Sequence, residues 1–359
     1  MYNLKDEDYN DGYYHFAADV EKYPDAWCYM VYSRRGPGKT FSALRYAYAN
    51  NIKFAYIKRT DGDVSLICSS CEGFETSPFA PLNRDFNLNV RAIEIKKGLA
   101  GFYNCDSENN PVGAPVGIIF SMNSIAKYKG FDMSDVEYMI WDEFIPQRGE
   151  VVKRAEGDMA LSAYMTISRD RQKRGRQPLR LVLFANSENI VCPMTDELEV
   201  VDAVADMNAS GAAYSETRGI MIHHITSDEV PLADSEKSGI FDAMKDTAWG
   251  RRTWGGDFAS NDFSLIAKKS LKGGRIMSAF RYKHTTYYEY IFDDGTMYIS
   301  LSGSADKCNF YDINNESDAM KFYYEHAISI RSASIEGRVL YQVYSAYDII
   351  INYRKKFSL

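Results

Sequence analysis

Two groups of residues have the types and the order needed to handle a phosphate chain. The first is Ser33 to Thr40, which reads SRRGPGKT. A glycine-rich turn ending in lysine and a hydroxyl residue aims consecutive backbone N–H groups at phosphate oxygens, while the lysine adds positive charge and the hydroxyl binds magnesium. Ser33, Arg34, Arg35, Gly36, Pro37, Gly38, Lys39 and Thr40 are therefore the expected ATP-binding loop, with Thr40 on Mg2+. Two positions depart from the pattern: Ser33 stands where a glycine is usual, and Pro37 has no N–H to give. The second group lies in VEYMIWDEF, an apolar run that delivers Asp142 and Glu143. Asp142 is the expected magnesium ligand, and Glu143 is placed to polarise an attacking water. A DE pair at a strand end is by itself an ordinary solvated feature. Following a phosphate loop, it reads as nucleotide hydrolysis, provided that Lys39 and Asp142 meet across one triphosphate.

Three further residues could complete such a site. Asn186 closes the apolar run LVLFANS; in ATPases with an extra strand between the two phosphate-handling strands, a polar residue there senses the γ-phosphate, whereas the plainer reading is an asparagine ending a strand. Hydrolysis in a ring also calls for a cation from a neighbouring subunit to stabilise charge on the γ-phosphate. Arg169, after AYMTIS, is the first candidate and Lys129, in KYKG, the second; each also reads as a surface cation. A simple nucleoside kinase is disfavoured, having no need of the glutamate or of a second domain.

The elements that must position these residues follow from pattern. WCYMVYS (27–33) is a short apolar, β-branched run stopping at the turn; the segment 40–50 spaces Phe41, Leu44, Ala47 and Tyr48 on one helical face; IKFAYIKR (52–59) reads as a second strand. Strand, turn, helix and strand make a βαβ unit with parallel pairing and a right-handed crossover. Residues 60–116, punctuated by four prolines, read as an insertion with a hairpin between Arg91 and Cys105. Further strands are expected at 117–124, 136–145 and 180–187, with a helix from Glu156 to Ser168 between the last two. Their near-continuous apolar runs suit strands buried on both faces, as an α/β core requires. After Ile225 the chain turns polar, with a helix expected over Gly239–Gly250. From Phe263 the runs RIMSAFRYK, TTYYEYIF and TMYISLS, with a DDG turn at Asp293 to Gly295, read as an antiparallel meander, followed by a helical pattern near Ser317–Ala327. The expected division is an ATPase domain at 1–230, a linker with a short helix at 231–260, and a small α+β domain at 261–359.

A chain of 359 residues is too long for one ordinary core, and 45% hydrophobic with 25% charged residues places it among globular proteins. No apolar run approaches the ~18–20 residues of a membrane-spanning helix and no leader pattern opens the chain, so no membrane partner is expected and the cytosol is the default address. The 6 cysteines lack framework spacing and suit reduced thiols. Cys68 and Cys71 form a CxxC pair, but a structural zinc would need two more ligands at similar spacing. The net charge of -7 argues against coating nucleic acid with the whole surface, so any DNA contact is local. RDRQKRGRQPLR, from Arg169 to Arg180, could serve as such a contact or as a solvated helix end and loop.

These residues in this order resemble the DNA-encapsidation ATPases of small short-tailed Picovirinae-type phages, within the FtsK and HerA superfamily of catalytic-glutamate (ASCE) P-loop ATPases. The resemblance runs through residues 24–232, with a weaker echo to the C-terminus. It rests on the Arg-Gly-x-Gly-Lys loop (Arg35 to Lys39), YIKR after the second strand, the WDEFI segment, TxxRxR around Arg169 and the strand ending in Ala-Asn-Ser. It implies ATP and Mg2+ as cofactors, a mainly parallel P-loop α/β domain, Arg169 as an arginine finger and Lys129 as a trans-acting lysine. It also implies a ring, commonly a pentamer, docked on the portal (connector) of an empty capsid in the host cytoplasm. That ring would drive double-stranded DNA inward through sequence-independent phosphate contacts, and a scaffolding RNA is a partner left open. In larger relatives the C-terminal domain is an RNase H-like nuclease. Its opening strand here, Arg275 to Lys283, carries no carboxylate, so a vestigial nuclease that binds DNA or partners is expected. The alternatives are a terminase-type nuclease, a P-loop DNA translocase not involved in packaging, and a capsid or portal adaptor with a decayed nucleotide site.

Overall fold

The computed structural model describes residues 12–71, 73–125, 132–147, 149–169, 171–234, 237, 239–256, 258 and 261–359. The chain divides into two compact units, residues 1–260 and residues 261–359.

The first unit is built on nine strands: β1 (Cys28–Ser33), β2 (Phe54–Lys58), β3 (Val90–Lys96), β4 (Leu99–Asn104), β5 (Gly117–Ser121), β6 (Tyr138–Asp142), β7 (Arg180–Asn186), β8 (Tyr214–Thr217) and β9 (Ile220–His224). Their order in the sheet is β3-β4-β5-β2-β6-β7-β1-β9-β8. The six central strands, β5 to β9 in that order, are parallel, and the outer pairs β3-β4, β4-β5 and β8-β9 are antiparallel. Every residue of β1 is buried, as an apolar run covered on both faces demands.

Helix α1 (Phe16–Lys22) precedes β1, and α2 (Lys39–Ala49) follows it directly. Phe16 plugs the space between them and the sheet, its ring meeting those of Tyr29, Tyr46, Tyr138 and Phe184 edge-on. Its backbone N–H donates to Ser42 Oγ of α2 at 2.6 Å. Helix α3 (Asp61–Ile67) starts from a capping box between Thr60 and Asp63. Helix α4 (Ala80–Phe86) and helix α5 (Glu156–Ser168) follow later in the chain.

The strands and helices expected around the phosphate loop form where the pattern placed them, with ends shifted by at most three residues. Three expectations are corrected. β1 and β2 are parallel but not paired, because β7 and β6 are inserted between them. Residues 60–116 are not a separate insertion: the β3-β4 hairpin extends the central sheet beyond β5. The helix expected over Gly239–Gly250 ends at Met244 and resumes at Ala248, since Thr247 is extended and caps the second piece through Gly250 N. Beyond it, Phe258 is buried against Tyr32 of β1. The strands β8 and β9 escaped the sequence reading altogether. No helix is long and apolar enough to cross a membrane among the described residues.

The second unit holds β10 (Arg275–Tyr282), β11 (Thr285–Ile291), β12 (Met297–Ser300), β13 (Asn309–Asp312) and β14 (Val339–Tyr341), ordered β13-β10-β11-β12-β14. The expected meander is β10-β11-β12, all antiparallel, while β13 and β14 join its two edges in parallel. Helical segments at Glu316–Phe322, Ile328–Ile335, Tyr344–Ile351 and Tyr353–Phe357 supply the apolar cover, centred on Phe280, Phe322, Ile330 and Ile349.

Candidate nucleotide site

The turn after β1 is shaped by two glycines in the left-handed region, Gly36 at φ 96° and Gly38 at φ 90°, a conformation that an L side chain resists. Pro37 sits between them. Its carbonyl accepts the backbone N–H of Tyr14 at 2.9 Å, so the residue that cannot donate is used as an acceptor. Ser33, in the position usually held by glycine, is fully buried, and its hydroxyl accepts from Lys39 Nζ at 2.5 Å. Lys39 also donates to Arg34 O at 3.1 Å and reaches Asn186 Oδ1 at 3.4 Å. Its side chain is only 8% exposed, and burial pulls the ammonium down to about 8 against the opposing pull of Asp142 and Glu143.

β6 and β7 bring the acids and the asparagine to the same place. Because β7 lies between β1 and β6 with Ser33 level with Asn186 and Asp142 level with Phe184, all three strand ends open on one edge. There a cavity of about 320 Å³ is lined by Arg35, Gly36, Gly38, Lys39, Thr40, Phe41, Asp142, Glu143, Ala185 and Asn186. Lys39 and Asp142 thus meet in one site. The groups present fit a magnesium-bound triphosphate: a positive-φ glycine turn running into the N-terminus of an 11-residue helix, a buried ammonium, and a carboxylate, Asp142, lining the same cavity as Thr40.

The two acids are held differently. Asp142 accepts the hydroxyl of Tyr56 at 2.9 Å, and the buried phenol is kept firmly protonated by its burial and by Asp142. Glu143 has left the strand: its φ is 59°, a left-handed value that costs a non-glycine residue about 1–3 kcal/mol and has to be imposed by its surroundings. Arg59 imposes it by donating to the carbonyls of Glu143 at 3.1 Å and Phe144 at 3.0 Å. The Glu143 carboxylate, 44% exposed, takes Lys58 Nζ at 3.2 Å and Gln147 Nε2 at 3.3 Å. Gln147 in turn accepts Arg35 Nη2 at 3.0 Å, which links the loop to the glutamate.

The other expected residues separate. Arg34 lines no part of the cavity; its guanidinium donates to the carbonyls of Arg35, Val230 and Pro231 and ties the loop to the chain beyond β9. Arg169 lies exposed at the C-terminal cap of α5 and is not among the lining residues. Lys129 falls outside the described residues. Within the basic stretch, Arg171 is buried and bonds the carbonyls of Gln177, Ser134 and Val136, and Arg180, in β7, bonds the hydroxyls of Tyr29 and Tyr138 and the carbonyl of Pro24, so at least two of its six cations are structural. Among the described residues no group of three or more His, Cys, Asp or Glu side chains could hold a metal, and Cys71 instead bridges backbone to Phe74.

Tyr56, Lys58, Arg59 and Gln147 are the site residues that sequence reasoning did not assign roles. Three of them lie in YIKR, whose position after β2 was visible. That β2 neighbours β6 was not.

No protein-family model matches the sequence, and no curated protein matches it. The fold does have solved counterparts. One is a chain of the bacteriophage Phi-29 viral genome packaging motor assembly, with a TM-score of 0.63 at 15% identity, covering 96% of this chain and 99% of that one. Another is the Phi-28 gp11 DNA packaging motor, with a TM-score of 0.58 at 15% identity, covering 97% of this chain and 98% of that one. The chain shares the fold of these packaging-motor proteins over nearly its whole length.

Proposed function

We propose that this protein is the ATPase of a phage genome-packaging motor, a ring that hydrolyses ATP at its subunit interfaces and drives double-stranded DNA through the portal into a preformed capsid. The observation that carries the reading is the convergence of Lys39, Thr40, Asp142, Glu143 and Asn186 on one cavity at the edge of a parallel sheet. The strand order, with β7 between the loop strand and the acid strand, suits an ASCE-type ATPase in which Asn186 contacts the γ-phosphate.

In this reading the turn Ser33–Thr40 and the start of α2 bind the phosphates, and Lys39 leaves Ser33 for their oxygens. Thr40 and Asp142 would hold Mg2+, whose charge would offset that of the phosphates. Glu143 orients and polarises the attacking water once Lys58 and Gln147 release it. Arg169, exposed at the end of α5, acts on the neighbouring subunit's nucleotide, with Lys129 as a second trans-acting cation. The domain assignment is an ATPase domain at 1–230, a connecting segment at 231–260 and a vestigial RNase H-like domain at 261–359 that contacts DNA or the portal. The site of action is the portal vertex in the host cytoplasm.

The test separates binding from chemistry. Lys39→Ala should abolish ATP binding, while Glu143→Gln should bind ATP and lose at least about a hundredfold in turnover. Wild-type turnover by Glu143→Gln, or ATP binding indifferent to Lys39, removes the assignment. DNA-stimulated turnover in the presence of portal then distinguishes a packaging motor from a translocase of another kind.

A further inference from the structure

We propose that Tyr56 is a positioning residue for the divalent cation: it holds Asp142 so that a single carboxylate oxygen is left for the metal, and thereby selects Mg2+ over Ca2+. The inference rests on the nucleotide reading above and adds to it the residue that decides which cation accompanies the phosphates.

The contact follows from sheet register. Tyr56 of β2 is level with Ile140 of β6, and both side chains belong to the same core. Successive residues of a strand alternate faces, so Asp142, two positions beyond Ile140, lies on that face as well. It stands about 6.6 Å further along the strand, a diagonal that a long aromatic side chain crosses. The Tyr56 hydroxyl donates to Asp142 Oδ2 at 2.9 Å. Its ring is buried and meets Phe102 of β4 edge-on at 5.8 Å, so packing fixes the phenol before any ligand arrives.

The consequence is felt at the carboxylate. Asp142 lines the cavity beside Thr40, and Oδ2 is committed to the phenol, which leaves Oδ1 as the oxygen offered to a cation. Outer hydrogen bonds of this kind orient ligating carboxylates, and losing one typically costs roughly 10–100-fold in metal affinity. Mg2+ demands a strict octahedron and is met by one or two carboxylates together with phosphate oxygens and water. Ca2+ takes about six to eight oxygens and often uses both of one carboxylate. A fixed, single-oxygen Asp142 therefore suits the smaller ion and handicaps the larger one.

The experiment measures binding of a non-hydrolysable ATP analogue to the full chain by titration calorimetry in saturating Mg2+, in saturating Ca2+ and in EDTA, for wild type and Tyr56→Phe. Phenylalanine keeps the ring against Phe102 and removes only the donor. Wild type should bind at least about tenfold more tightly in Mg2+ than in Ca2+. Tyr56→Phe should lose about tenfold in Mg2+, keep its affinity in EDTA, and bring the ratio of Mg2+ to Ca2+ affinity toward one. Equal wild-type affinity in the two cations overturns the proposal without any variant. So does an equal loss with and without metal, which marks a purely structural phenol, or an unchanged ratio in Tyr56→Phe. A wild-type chain that binds the analogue under none of the three conditions overturns the nucleotide loop itself, a separate and visible failure.

Discussion

Arg59→Met is the perturbation whose size the structure allows to be worked out most fully. The guanidinium, 9% exposed, donates through Nε to Glu156 Oε1 at 2.7 Å, and the Glu156 side chain is only 4% exposed. A second bond at 2.9 Å goes to Glu150, which is partly in solvent and adds little. The two remaining bonds satisfy the carbonyls of Glu143 and Phe144. Removing one partner of a buried ion pair costs about 3–5 kcal/mol, because the other charge is left in an apolar setting. The two carbonyls that lose a donor place this case toward the upper end. For a unit of this size the loss corresponds to a fall in melting temperature of roughly 6–20 °C.

The pH dependence gives the mechanism a separate signature. Burial already raises Glu156 above the ordinary carboxylate range, and Arg59 offsets part of that rise. Without Arg59 the rise is larger. A carboxyl whose folded pKa exceeds its unfolded value loses stability as pH increases, since the unfolded chain gives up the proton first. The deficit of Arg59→Met relative to wild type should therefore be smallest near pH 4–5 and grow toward pH 7. Replacing both partners, Arg59→Met with Glu156→Met, should recover most of the loss, because a packed apolar pair has no stranded charge. Urea unfolding at pH 5 and pH 7 measures all four corners of the cycle. A single-variant loss below about 1 kcal/mol, or a double variant no more stable than the single one, refutes the reasoning.

Three other outcomes are expected. Lys39, held near 8 by burial, is charged when it meets phosphate, so ATP affinity should be flat below pH 8 and fall by up to about tenfold per pH unit above it, with proton uptake on binding measurable by calorimetry in two buffers; a flat profile to pH 9.5 contradicts this. His223 is fully buried between Asp19 at 2.9 Å and Glu229 at 2.8 Å; burial lowers its pKa, but the bonds to the two carboxylates outweigh burial and raise it. The stability it confers is complete below about pH 6.5 and lost as pH rises through the elevated value, so the thermal midpoint should decline from pH 6.5 to 8.5 in wild type and not in His223→Gln. Arg169→Ala should keep ATP binding and lose turnover in assembled rings, with partial recovery on mixing with Glu143→Gln subunits; mixed rings without recovery would place the cation's action within its own subunit.

How much of this was legible in sequence depended on whether the signal was local. The loop strand, α2 and the acid strand declared themselves because apolar runs flank residues of unusual chemistry, and those residues meet as expected. Adjacency in the sheet was not local. β1 and β2 are consecutive through α2, so pairing was the natural expectation, yet β7 and β6 separate them. β8 and β9 were missed because YSET is half-polar and turns sharply through Arg218 and Gly219, leaving only IMIHH as an apolar clue. The break at residues 245–247 was invisible for the opposite reason: Thr247 is compatible with a helix by composition and acts as a cap by geometry. Arg59 could not be assigned from sequence either, since its partners Glu143, Phe144, Glu150 and Glu156 are reached only once β2 lies beside β6.

The two departures from the phosphate-loop pattern were the main sequence argument for a decayed site, and the structure gives each a physical role. Ser33 adds a buried hydroxyl at a position where glycine would leave Lys39 without that acceptor, so the ammonium is held near the cavity floor by Ser33, Arg34 O and Asn186 rather than exposed. Pro37 gives up one N–H but keeps a fixed φ between two left-handed glycines, and its carbonyl anchors the segment bearing Tyr13 and Tyr14. Asp19, at the far end of that segment, accepts Tyr14 and Tyr214 and pairs with His223 on β9. The loop is therefore braced from the strand on its other side as well as from β7. Each exception in the turn is thus matched by a specific partner, and the altered residues are the ones that connect it to the rest of the unit.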